Sequence, residues 1–216
     1  MDASWLKTVC EPDNERYSGI TKYPWSLEWN EERYTVATNG KLIVAVRGVL
    51  PDTPEPSEKQ RNAMLGHLNR VGTLIGTSDI ESLRAWVGPP QEVKEAACTR
   101  CNDGWVDCPC CGEADNLECE YCDAGKVLTH PDRTPGWVAD LLIDRTLLAP
   151  ILPHLSGPCE MLAVRWEDTQ SFHKDQNALL LVGDGWRVLQ MGMFLDVGDS
   201  TACPRFDLHA ATTPTA

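Results

Sequence analysis

The sequence predicts an α+β domain interrupted by a cysteine-rich module. Three observations lead there. Strand-like runs pair up around Asn39-Gly40 and again around Gly183-Asp184-Gly185. Short capped helices lie between and around them. Seven of the ten cysteines fall between Cys98 and Cys122, with strand-rich sequence on both sides. The module therefore reads as an insertion. Residues 1–91 and 127–205 would form one discontinuous domain, residues 92–126 the insert, and residues 206–216 a loose tail.

Asp2–Cys10 places Trp5, Leu6 and Val9 on one side of a short helix. Arg33–Thr38 and Lys41–Arg47 flank Asn39-Gly40, the residue pair that type I′ hairpin turns favour. Pro51–Pro56 (PDTPEP) then breaks regular structure. Ser57 with Gln60 has the spacing of a capping box, and Met64, Leu68 and Val71 share a helical face. Ser78 with Glu81 repeats the capping spacing before Leu83–Val87, which Gly88-Pro89-Pro90 ends. Beyond the module, Trp137–Ile143 reads as a strand. Asp144 caps a short helix carrying Leu147, Leu148, Ile151 and Leu152, which Pro150 and Pro153 keep short. Glu160–Trp166, Ala178–Val182 and Trp186–Met191 read as strands, the last two a hairpin.

The cysteine segment carries the strongest chemical signal. Cys98/Cys101, Cys108/Cys111 and Cys119/Cys122 are three Cys-x-x-Cys pairs. A two-residue gap turns both sulfurs onto one ion, and two such knuckles complete a tetrahedral Zn²⁺ site. The spacing leaves the pairing open. The outer knuckles would close the module like a clasp, and Cys108/Cys111 with either neighbour would be equally compact. A second ion on Cys108, Cys111 and an outside ligand such as His130 is a further arrangement. Cys110 reads as a spare thiol, and Cys10, Cys159 and Cys203 as ordinary, partly buried ones. A catalytic zinc would need an open coordination position and commonly a histidine or carboxylate ligand. The module contains no histidine.

Composition narrows the function classes. The formal net charge is −13. Residues 92–126 hold nine acidic side chains against Lys94, Arg100 and Lys126. Gripping phosphates needs a basic footprint, so weak or no binding to bare DNA is expected. No HExxH, GxSxG, P-loop or GxGxxG motif occurs, and Pro109-Cys110-Cys111 lacks the histidine–glutamate element of a zinc deaminase. No catalytic residues are assigned. The eight tryptophans read mainly as core and rim packing, with Trp105 beside the metal as a candidate partner anchor. No apolar run is long enough to span a membrane. The start lacks the pattern of a signal peptide, which points to a reducing, cytoplasmic setting within a host cell, where clustered cysteines bind zinc.

Two family resemblances add to this reading. CTRCNDGW and CEYCDAGK resemble the Cys-x-x-Cys-x-Gly-x-Gly repeats of the DnaJ-type cysteine-rich module, over about 30 residues. That likeness implies a zinc-stapled hairpin used for protein contacts, with Cys98/Cys101 and Cys119/Cys122 in one site. Separately, YTVATNGKLIVAVRG resembles the ATDG hairpin of bacterial DNA sliding clamps. LLIDRTLLAPIL and ALLLVGDGWRVLQMGM are similar to later elements of the same clamp domain, in the same order. Clamp-like domains with inserted knuckles are familiar from bacteriophage and prophage proteins, and the chain resembles that group. A bacterial clamp carries three such domains per chain. This one has room for a single domain, so a ring would require a homo-oligomer.

The expected function is therefore a non-enzymatic, zinc-binding phage protein. It would act through protein contacts in DNA replication or in takeover of host DNA-processing machinery. An acidic mimic of DNA that occupies a host nucleic-acid-binding or defence protein is the alternative. A zinc-dependent enzyme comes last.

Overall fold

The computed structural model describes residues 4–10, 19–91, 94–102, 105–106, 117–118, 126–129, 133–165, 177–193 and 203–208. The chain divides into two compact units, residues 1–89 with 134–216 and residues 90–133. In chain order the elements begin with a 3₁₀ turn Ser4–Val9, β1 (Trp25–Trp29), β2 (Glu32–Thr38), β3 (Leu42–Arg47), α1 (Glu58–Leu68), β4 (Thr73–Asp79) and α2 (Ile80–Val87). The smaller unit holds β5 (Lys94–Ala97), β6 (Trp105–Val106), β7 (Leu117–Glu118) and β8 (Lys126–Thr129). There follow β9 (Pro135–Val138), β10 (Leu141–Asp144), α3 (Arg145–Leu148), a 3₁₀ turn Leu152–His154, β11 (Pro158–Arg165), β12 (Asn177–Gly183), β13 (Trp186–Met191) and β14 (Arg205–Phe206). The class is mixed α+β and mostly antiparallel, with few helices.

The larger unit is built on one seven-stranded sheet in the order β1-β2-β3-β13-β12-β11-β4. Both faces of its central strands are buried, and the period-two alternation of a strand sorts their side chains. Leu42, Val44, Val46, Leu179, Leu181, Trp186 and Val188 join a cluster with Leu6, Leu83, Ile143 and Ile151. Ile43, Ala45, Leu180 and Leu189 join a second cluster with Trp25, Leu27, Met64 and Leu68. The strands therefore read as near-continuous apolar runs. Fully burying each leucine or valine contributes about 1.5–3 kcal/mol relative to leaving it exposed.

Local sequence signals explain several elements. Ser57 Oγ accepts from the Gln60 backbone N–H at 3.4 Å, and Gln60 Oε1 accepts from Ser57 N at 3.0 Å. That is the reciprocal capping box the sequence predicts at α1. Asp144 caps α3 as expected, accepting from Thr146 N at 3.1 Å. At α2 the expectation needs correction. Asp79, not Ser78, is the cap, and its carboxylate takes both Ser82 N (2.7 Å) and Ser82 Oγ (2.9 Å). Ser78 is instead buried in β4, opposite Cys159.

Other expectations shift by a few residues. α1 ends at Leu68 under its cap residue Asn69, so Val71 leaves the helical face and is 87% exposed. Trp137–Ile143 is not one strand. Ala139 turns at φ 52°, and β9 folds back on β10 with Val138 opposite Leu141. Phe206, where the loose tail was expected to start, is held: β14 pairs parallel with β9, and Phe206 lies 5.3 Å from the Trp86 ring, while residues 209–216 lie outside the described residues.

The β2–β3 hairpin forms where the sequence places it, but not through a two-residue type I′ turn. Thr38 pairs with Ile43, so residues 39–42 make the connection. Only Gly40 has positive φ, at 85°, whereas type I′ needs positive φ at both central residues. Asn39 instead makes an Asx turn: its Oδ1 accepts from Lys41 N (3.0 Å) and Leu42 N (2.9 Å). Thr38 Oγ1 accepts from Gly40 N at 3.0 Å. The tip is thus fixed by side-chain bonds on either side of one left-handed glycine.

Gly40→Val should cost more than about 1 kcal/mol, because a β-branched residue resists that backbone region. In a chain of this length that lowers the melting temperature by roughly 2–4 °C or more. Gly40→Asn should recover most of the loss, since Asn tolerates positive φ. An unchanged melting temperature for Gly40→Val would contradict the turn assignment.

Candidate functional site

Two places carry chemistry, one in each unit. In the smaller unit, β5 pairs antiparallel with β8 and β6 with β7, one ladder nested within the other in chain order. Ala97 lies opposite Lys126, and Trp105 opposite Glu118. The sequence between these two rungs is CTRCNDG (residues 98–104) on one side and CEYCDAG (residues 119–125) on the other, equal in length. The two rungs thus enclose equal lengths of chain. Cys108 and Cys111 fall in the stretch that links β6 to β7.

Of the six candidate ligands, Cys98 and Cys101 are described, and both are half-buried. Cys108, Cys111, Cys119 and Cys122 lie outside the described residues. Among the described residues no three metal-ligating groups converge. The Cys98 knuckle nonetheless has the turn that thiolate ligation needs. Arg100 N–H donates to Cys98 Sγ at 3.5 Å. The chain then closes at once. Asn102 N donates to Trp105 O at 2.8 Å, and Trp105 N returns to Asn102 O at 2.9 Å. This donor set fits Zn²⁺, given two further sulfurs. Trp105 is 44% exposed.

In the larger unit, a groove of about 400 Å³ opens beside the Asn39-Gly40 tip. Its floor is Ile43 and Leu189, which lie opposite each other on β3 and β13. One wall is α1, through Lys59, Ala63, Met64 and His67. The facing wall is the hairpin tip, Thr38 to Leu42, and Met191 closes one end. Met191 N donates to Lys41 O at 2.9 Å, which ties the tip to the end of β13. Its volume lies within the range of ligand sites, which are concave, mostly apolar and preformed. Partial desolvation, with Arg70 nearby, holds the pKa of the His67 imidazole below its ordinary value.

No local signal could have shown the groove, because its lining comes from four separate stretches of chain. What the sequence did single out were two of those stretches, the ATNG tip and the strand ending at Met191. The structure brings them together. The tryptophans divide as packing predicts. Trp5, Trp25, Trp29 and Trp186 are buried, while Trp86 and Trp137 are half-buried. Trp166 lies outside the described residues. A second, smaller recess of about 220 Å³ lies over β11–β13. There Arg187 stacks 4.8 Å from the Trp29 ring and donates to Leu68 O, capping the end of α1.

Burial pushes the Cys10 and Cys159 thiols up to about 11. Both should stay protonated at pH 8 and resist iodoacetamide in the native protein, but react once it is unfolded in guanidinium. Labelling of either at its unfolded rate would contradict that placement. For the module, elemental analysis should find at least one zinc per chain. Cys98→Ser should release it and loosen residues 94–129 without unfolding the larger unit, because binding energy on the order of 10 kcal/mol is folding energy for that segment. Metal-free protein with fully protected amides across the module would overturn the assignment.

No protein-family model, curated protein or solved structure matches the chain.

Proposed function

We propose that this chain is a non-enzymatic, zinc-binding protein that works by docking other proteins. Its setting would be DNA replication, or takeover of a host's DNA-processing machinery. The observation that carries the reading is the groove: an apolar, preformed cleft on a rigid sheet, held open by a hydrogen-bonded hairpin tip. Such a cleft anchors the few large side chains that dominate a protein interface. Its walls include the two segments that resemble the sliding-clamp hairpin and terminal strand, which supports the clamp-like reading of the larger unit. The knuckle at Cys98 and the nested ladders support a structural zinc, with Cys119/Cys122 supplying the other sulfurs and Cys108/Cys111 available to a second arrangement. Trp105 would be a second, separate contact point on the metal module.

Ala63 is exposed on the α1 wall, so Ala63→Arg should fill the groove without disturbing the core. Tagged protein should capture a reproducible set of bacterial proteins, and Ala63→Arg should lose it while keeping its melting temperature and its zinc. Capture that survives both Ala63→Arg and Trp105→Ala would overturn the docking reading. At physiological salt, random duplex DNA should show no saturable binding in fluorescence anisotropy, since the net charge of −13 repels phosphate. Tight, salt-sensitive DNA binding would instead place a DNA-encircling oligomer ahead of protein docking.

A further inference from the structure

The charge around the groove runs against the rest of the molecule. The chain carries 32 acidic and 19 basic residues. Among the described residues no carboxylate lines the groove, and its charged side chains are Lys41 and Lys59, one on each wall. Both are exposed at the mouth, above an apolar floor of Ile43, Met64 and Leu189. Ordinary solvated lysines would account for either residue alone. They do not account for a lining without a carboxylate on so acidic a protein.

The lysines are also held in place from behind. The backbone of Lys41 is fixed on both sides, its N–H by Asn39 Oδ1 and its carbonyl by Met191 N. Lys59 sits in the first turn of α1, whose capping box is complete. Ser57 and Gln60 bond each other there, which fixes the turn that carries Lys59.

We propose that the groove selects an acidic partner segment: two or three apolar side chains in the cleft, with a carboxylate on either side facing Lys41 and Lys59. This rests on the docking reading above and names the chemistry of what docks. The volume admits anchors of leucine size. Outside the groove the same acidic surface would repel such a segment, so the rim would steer it to this one place.

The test uses two labelled pentapeptides, acetyl-Asp-Leu-Ala-Leu-Asp-amide and its Asn-Leu-Ala-Leu-Asn counterpart, against the full-length protein. At 50 mM salt the acidic peptide should bind about tenfold more tightly, and the gap should narrow at 500 mM as screening shortens the reach of the lysines. The double variant Lys41→Glu, Lys59→Glu should lose or invert the preference while still binding the neutral peptide. Ala63→Arg should abolish both. Equal affinities in the wild type, with both peptides blocked by Ala63→Arg, would overturn acidic selectivity and leave the docking groove standing. A preference unaffected by the double variant would overturn it as well. Failure of both peptides to bind would overturn the groove as a docking site and this proposal with it.

Discussion

The pairing of β3 with β13 is the contact on which the larger unit depends. Residues 42–46 lie opposite residues 186–190, with the whole cysteine-rich module between them in the chain. The N-terminal strands β1–β3 and the C-terminal strands β11–β13 would otherwise be two separate antiparallel meanders, each with two apolar faces to cover. Joined, they form one sheet with a buried cluster on each side. Closing so long a loop is slow and entropically costly, but the cost grows only logarithmically with the length of the insert. A fold of this kind therefore tolerates a module in that loop, provided its ends return to one place. The β5–β8 ladder pairs those ends.

The groove follows from the same contact. Ile43 and Leu189 meet only because β3 and β13 are neighbours, and Lys41 meets Met191 one step further along. The helix above them is held by Met64 and Leu68, which pack into the cluster beneath. The site is thus built on strands and a capped helix, and only the hairpin tip is loop. That tip has its own lock in the Asx turn of Asn39. The cysteine-rich module is built differently. Its ladders are short, and its described strand residues Trp105, Leu117 and Glu118 are exposed, so ligation would have to supply what a core supplies elsewhere.

What was legible in the sequence was local. The α1 capping box, the Asp144 cap, the β12–β13 hairpin and the cysteine spacing each follow from residues within a few positions of one another. β1 and β4 were not legible. Trp25–Trp29 is short and aromatic at both ends, and Thr73–Asp79 carries Gly76 and four polar residues. Both are edge strands, held by one neighbour each, so their identity comes from the sheet and not from their own propensity. The Ala139 turn was hidden because alanine seldom adopts positive φ. Ser78 was mistaken for a cap because its spacing to Glu81 imitates the motif, yet an aspartate one position later offers two acceptors. The groove's existence lay beyond local reading, although the hairpin tip and Met191 that line it had been marked by their likeness to a clamp.

Native-state hydrogen exchange tests the account most directly, run on zinc-loaded protein and again after chelation. The account predicts that amides of residues 42–47 and 186–191 exchange together, at the slowest rate in the molecule, and keep that protection when the metal is removed, while residues 94–106 and 117–129 lose theirs. Loss of protection in β3 and β13 together with the module would contradict it, by showing that the sheet and its groove depend on the metal. So would different rates for the two strands, which would mean that their pairing is not the contact joining the two halves.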